Sequence, residues 1–145
     1  LPLDVARMAQ ADVRSAMLRI SVTQSAWAKK SGRFPANQRE LDEFVKAPVE
    51  KERELVSRFA RDAQRLPYRL IYIADAPGPH ISSPAGDQPG MIYCAVSRDQ
   101  KRFWITGTAL SEAVGGEVIL VPSSEQAGPW IDEGRLDLPA EPPRK

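Results

Sequence analysis

Residues 5–27 read VARMAQADVRSAMLRISVTQSAW, and the chain then turns at Ser31-Gly32-Arg33-Phe34-Pro35. Val5, Ala9, Val13, Ala16, Met17, Ile20 and Trp27 recur at spacings of three and four, which at about 100° per residue gathers them on one face of a helix. That face must be buried against something, because apolar area gains free energy only when it is taken out of water. Arg7, Arg14, Lys29 and Lys30 point away from it. Gly32 supplies the left-handed conformation that ends a helix and Pro35 prevents its resumption, so the spacing predicts one long helix ending near Lys30.

A second stripe lies on the same helix. Met8, Ala11, Ser15, Leu18 and Val22 are spaced three, four, three, four, a short heptad seam roughly opposite the first face. A helix buried in one small domain needs a single stripe. The extra one is either a set of scattered surface residues, covered or not by the C-terminal tail, or a face that packs on neighbouring helices.

The segment from Ala6 to Ala16, the run Trp27-Ala28-Lys29-Lys30-Ser31-Gly32-Arg33-Phe34-Pro35, and then Asn37 to Leu41 resemble the start of the head domain in type IV pilins and in the pseudopilins of type II secretion. In that family the second half of a long helix carries this alanine- and charge-rich pattern, followed by a Gly-Arg-aromatic-Pro turn and a short stretch ending in leucine. The resemblance covers the first forty or so residues. It implies an α+β, pilin-like fold in which the long N-terminal amphipathic helix packs on an antiparallel sheet. It also implies a leader and an apolar half-helix upstream of residue 1, anchoring the protein in the bacterial inner membrane with the head in the periplasm or in an extracellular filament. The implied partners are other pilin or pseudopilin subunits and the secretion or pilus assembly machinery. Arg33, Phe34 and Pro35, with Gly32, are then the turn from stem to head.

Composition is compatible with this. A chain of 145 residues suits a single domain that buries about two-thirds of its unfolded surface. Formal net charge is +1, with basic residues interleaved among acidic ones, so no electrostatic footprint for nucleic acid stands out. No apolar run reaches the length of about 20 residues that spans a bilayer. Cys94 is the single cysteine, which excludes an intrachain disulfide; many pilins carry one near the C-terminus, whereas pseudopilins often do not.

Along the chain, residues 1–31 form the helical stem and 32–66 a connecting helical region. In the latter, Asn37 is placed to cap a short helix with Leu41, Phe44 and Val45 on one face. Leu55, Val56, Phe59, Ala60, Ala63 and Leu66 then predict an additional helix over Val49 to Leu66, a departure from major pseudopilins that points to a minor or atypical member. Residues 67–121 read as a β-meander of about four strands: Tyr68 to Ala74, central because neither face is polar; Met91 to Ser97 and Arg102 to Ala109, a hairpin; and Glu117 to Val121. A proline-rich loop, Ala76 to Gly90, interrupts them. Residues 122–145 read as an irregular tail tacked down by Trp130 and Ile131.

Catalytic constellations are absent from the pattern. His80 stands alone in a Pro-Gly-Pro-His loop, without the spacing of a histidine metal site or an orienting partner, and is expected to be solvated. Cys94 alternates in register with Ile92 and Val96, which predicts a packed thiol. Ser111, Ser123 and Ser124 read as turn formers, and neither Gly115-Gly116 nor Gly78 belongs to a phosphate-binding glycine motif. Asp132, Glu133 and Asp137 offer hard oxygen ligands of the kind calcium takes, without the spacing of an EF-hand loop. No cofactor or metal is expected.

Two functional readings follow. The first is a non-enzymatic structural subunit of a pilus or pseudopilus, assembled through the Met8, Ala11, Ser15, Leu18 and Val22 seam while loops such as Ala76 to Gly90 face outward. The alternative is a membrane-tethered periplasmic binding module that takes a peptide or small molecule at a sheet edge.

Overall fold

The computed structural model describes residues 3–46, 69–81, 88–111, 117–122, 128–132 and 134–137, the side chains of residues 3–6 and 46 excepted. The predicted helix over Val49 to Leu66, the Gly115-Gly116 pair and the Val5 side chain lie outside this set.

The stem is a helix, α1 (Leu3–Ser31), within about two residues of its predicted bounds at either end. It stops where glycine allows. The Gly32 amide donates to the Ala28 carbonyl at 2.7 Å, and Gly32 takes a φ of 76°. A second helix, α2 (Gln38–Lys46), begins after Asn37, whose Oδ1 accepts the Glu40 amide hydrogen at 2.9 Å as a cap. Arg33 spans the turn between them. Its guanidinium pairs with the Glu40 carboxylate, which also accepts the Ala36 amide hydrogen at 2.6 Å, so one carboxylate fixes both sides of the bend. This arginine holds the Glu40 carboxyl below its ordinary range.

Among the described residues five strands follow: β1 (Arg69–Ile73), β2 (Met91–Val96), β3 (Phe103–Leu110), β4 (Val118–Leu120) and β5 (Trp130–Asp132). Their order is β1-β2-β3-β4, with β5 on β3. On its side away from β2, β3 pairs with β4 through Thr108 to Leu110 and with β5 through Trp104 to Thr106. The architecture is thus α+β, a long helix and a small one with a mixed sheet.

Three expectations are corrected here. The sheet is not wholly antiparallel: β1 and β2 run parallel, with Arg69 opposite Met91 and Ile73 opposite Ala95. Nor is β1 central; among the described residues it is an edge strand. Both corrections have one cause. After β1 the chain crosses the second face of the sheet before entering β2 beside the start of β1, where the Arg69 amide donates to the Gly90 carbonyl at 2.7 Å. A strand covered on both faces reads as apolar throughout wherever it lies in the sheet, and crossover-linked parallel strands are the usual case. Thirdly, Trp130 to Asp132 form a strand rather than an irregular anchor.

The crossover also accounts for the apolar character of β2. Ile92, Cys94 and Val96 face α1, while Ala95 packs with Trp104 and Ala76 on the opposite side. His80 is half-buried there, its ring 4.2 Å from that of Tyr93 and its carbonyl accepting the Thr106 hydroxyl at 2.8 Å, so it is not the solvated loop histidine the sequence suggested.

The main core forms between α1 and the sheet. Val13, Ala16, Met17 and Ile20 pack with Ile92, Cys94, Phe103 and Ile105, all buried. Gly107 marks a close approach of α1 to the sheet: a Cβ there would lie 2.7 Å from Val13 Cγ1 and 2.8 Å from Met17 Sδ. Trp27 departs from this core. It is half-buried and stacks on Phe44 of α2, centroids 5.3 Å apart and planes 9° from parallel, while Ala28 takes the buried position at the end of the stripe. A 3.6-residue period drifts against the chosen spacing, and by the last turn the sheet-facing position has moved on by one residue.

Candidate assembly face

The second stripe of α1 is on the surface. Met8 is 64% exposed, Leu18 49% and Val22 51%, with Ala11 exposed and Ser15 half-buried between them. Among the described side chains of α1 these are the large apolar ones left in water, on the side opposite Val13, Ala16 and Ile20. Among the described residues the tail does not cover them, since β5 docks on β3.

The rotation of α1 about its axis, which decides what the stripe faces, is fixed by polar contacts at both ends. Near the N-terminal end, Gln10 Nε2 donates to the Leu110 carbonyl at 2.8 Å and Arg14 Nε to the Pro122 carbonyl at 2.9 Å. These bonds tie the helix to the ends of β3 and β4. At the other end the turn between β2 and β3 acts as a hub. Gln100, at a φ of 61°, accepts the Phe34 amide hydrogen at its carbonyl at 2.8 Å and donates from Nε2 to the Phe34 carbonyl at 3.1 Å. Lys101 donates to the Gly32 carbonyl. Phe34 itself is buried beside Phe103, ring centroids 4.4 Å apart, and Pro35 is buried next to it. The turn motif Gly32, Arg33, Phe34 and Pro35 therefore locks the helix end to the sheet.

The tail closes on the same hub. The Leu136 amide donates to the Lys101 carbonyl at 2.7 Å, and Arg135 bridges Asp99 at 2.7 Å and Asp137 at 2.9 Å. Arg135, with the Ser97 hydroxyl and the Lys101 amide, pulls the Asp99 carboxyl down to about 2. Asp132 is held by Arg102, whose guanidinium also lies 5.2 Å from the centre of the Trp104 ring. Partial burial pushes the Asp132 carboxyl up, but Arg102 and the Gly134 amide more than offset it. Two of the three carboxylates considered for calcium are thus paired with arginines; Glu133 lies outside the described residues. Among the described residues no cluster of three or more His, Cys, Asp or Glu is placed to hold a metal ion.

Charge around the stripe is one-sided. Arg7, Arg14 and Arg19 flank it and Lys29 and Lys30 end it, five cations against the two acidic residues of α1, Asp4 and Asp12. Cys94 carries no exposed thiol: it is fully buried, and burial pushes its ionisation up to about 12. A shallow groove elsewhere is lined by Gln38, Asp42, Arg69, Leu70 and Ile71, along the free edge of β1.

Two features escaped the sequence reading. Gln38 turns its carboxamide onto that edge, accepting from the Tyr72 amide at 2.8 Å and donating to the Leu70 carbonyl at 3.4 Å. Gln24 is fully buried on α1 with neither amide atom hydrogen-bonded, and the buried Ser25 Oγ is likewise without a partner. The second was accessible in principle, since Ile20, Gln24 and Ala28 are spaced by four.

Comparison of the chain with protein-family models, with curated proteins and with solved structures returns no match to any of them. Among the described residues no helix is long and apolar enough to cross a membrane.

Proposed function

We propose that this chain is the head and partial stem of a pilin-like subunit, a pseudopilin or minor pilin, whose work is non-enzymatic helix-to-helix assembly in protein secretion or a related type IV filament system. One observation carries the reading: α1 is fastened to the sheet along one side and presents Met8, Leu18 and Val22 to water along the other. Each is about half exposed, so covering what remains contributes less than the roughly 1.5–3 kcal/mol of burying such a side chain outright, and three together make a useful helix contact without being a burden to an unassembled domain. The turn at Gly32 to Pro35, locked to the β2–β3 hairpin, supports the same reading, because it holds a projecting helix rigid relative to its head. The parallel β1–β2 pair is a departure from the antiparallel sheet that the resemblance implies. In this reading a segment upstream of residue 1 anchors the subunit in the inner membrane, and its partners are other filament subunits and their assembly machinery.

Leu18→Glu tests the reading in the full-length protein. The isolated domain should keep its fold, since the site is on the surface, while incorporation into filaments should fail; normal incorporation would refute the assembly face.

The alternative, a tethered periplasmic module that binds a peptide by strand addition, has the groove beside β1 in its favour. Against it, Gln38 already fills the edge positions at Leu70 and Tyr72, so an incoming strand must first displace it. The upstream coding sequence separates the two: a leader followed by an apolar anchor helix supports assembly, and a conventional cleaved signal supports the binding module.

A further inference from the structure

We propose that the exposed stripe of α1 takes a helix from a different subunit, one whose own apolar seam is flanked by aspartate and glutamate, in preference to a second copy of this chain. The inference rests on the assembly reading and adds the identity of the partner.

The argument is electrostatic. An interface helix is selected at its rim, where like charges brought together cost free energy and opposite charges speed and orient docking. Arg7 and Arg14 stand on one side of the stripe, Arg19 and Lys30 on the other, and Lys29 closes its C-terminal end, so that α1 carries these five cations against two acidic residues, Asp4 and Asp12. A second copy of α1 would bring the same excess of cations to the contact. The chain as a whole is nearly neutral, at +1, so the imbalance is local to this helix rather than a property of the protein. Carboxylates on a partner helix would complete it.

The shape of the stripe favours a helix over a lipid surface. Helices that lie on membranes present a broad apolar face. Here the apolar positions follow the 3.5-residue repeat in a single row, narrowed by Ala11 and by the half-buried Ser15, which suits the interlocking of one helix with another. Small residues at those two positions let a partner backbone approach closely.

The test uses the full 145-residue chain and two synthetic helical peptides of about four heptads with the same leucine seam, one flanked by glutamate and one by lysine. Fluorescence anisotropy at low salt should show the glutamate peptide binding at least about tenfold more tightly than the lysine peptide, with the gap closing as salt is raised. Arg19→Glu should shrink that preference. Leu18→Glu and, independently, Val22→Ser should weaken binding of both peptides while circular dichroism shows the fold intact. Equal binding of the two peptides, or preference for the lysine peptide, overturns the charge argument and leaves assembly standing. A dimer of the chain itself, seen by sedimentation and lost in Leu18→Glu, overturns the choice of partner in favour of a second copy. Binding to anionic phospholipid vesicles without binding to either peptide overturns both the partner and the assembly face.

Discussion

Gln38 meets Tyr72 as a neighbouring strand would: its Oε1 accepts the Tyr72 amide hydrogen at 2.8 Å, while its Nε2 reaches the Leu70 carbonyl at 3.4 Å. One carboxamide at the start of α2 thus occupies a donor position and an acceptor position on the free edge of β1. Edges with unfilled positions recruit other chains. Gln38→Ala should lower stability by about 0.5–1.5 kcal/mol, the net value of such bonds, and should promote association at high concentration. Urea titration and sedimentation velocity measure the two effects; an unchanged midpoint together with a monomer at all concentrations would show that the edge needs no such cover.

The close approach at Gly107 gives a second prediction. Gly107→Ala places a methyl group against Val13 and Met17 at distances no packed core accommodates without movement, and should destabilise by about 1–3 kcal/mol. Val13→Ala opens space at that point. The double variant should therefore be more stable than the sum of the two losses predicts, by about 0.5 kcal/mol or more, in a thermodynamic cycle. Strict additivity would mean that α1 and β3 do not meet there.

Gln24 is an exception to the rule that buried polar groups are paired. Gln24→Met keeps the length of the side chain and removes two unpartnered atoms, so it should raise stability by about 1–2 kcal/mol. A fall in the thermal midpoint would show that the carboxamide has a partner in the folded protein, such as an ordered water.

Acid should loosen the clasp formed by Asp99, Arg135 and Asp137. The Asp99 carboxyl is held at about 2 in the folded protein, against about 3.9 in an unfolded chain. A depressed value of this kind stabilises the fold above the unfolded value, and the contribution fades as pH falls through the folded one. The wild-type protein should lose stability between about pH 4 and about pH 2, and Asp99→Asn should lose less of it over the same interval. Denaturant midpoints measured at stepped pH compare the two; parallel curves would remove Asp99 from the account.

What the sequence disclosed and what it hid follow from the range of the interactions involved. The bounds of α1, the cap at Asn37, the hairpin around Asp99 and the burial of Cys94 rest on periodicity and on turn chemistry within a few residues, and they are legible. The exposed seam of Met8, Leu18 and Val22 is legible for the same reason. The position of β1 is not, because Leu70 and Tyr72 pack on the main core while Ile73 packs with Ala76 on the other side, and that second contact depends on where the chain goes after Ile73. The short β5 strand at Trp130 was hidden because three residues carry no period, and its pairing with Trp104 to Thr106 is set by tertiary contact. Nothing in the sequence marks Gln38 as an edge cover, a role created by the neighbours that α2 finds in space. The spacing of Ile20, Gln24 and Ala28 does place Gln24 on the buried face, but its lack of a partner is set by the packing around it.

Cys94 turns the packing of α1 against the sheet into something that can be timed. Its sulfur has no contact with water, and burial pushes its ionisation up to about 12, so a thiol-specific reagent has neither access nor thiolate while the core is closed. Labelling has to wait for helix and sheet to part, and its rate under native conditions is a clock for that opening. A bound partner helix that steadies α1 should slow the clock, giving a readout of occupancy from the inside of the domain.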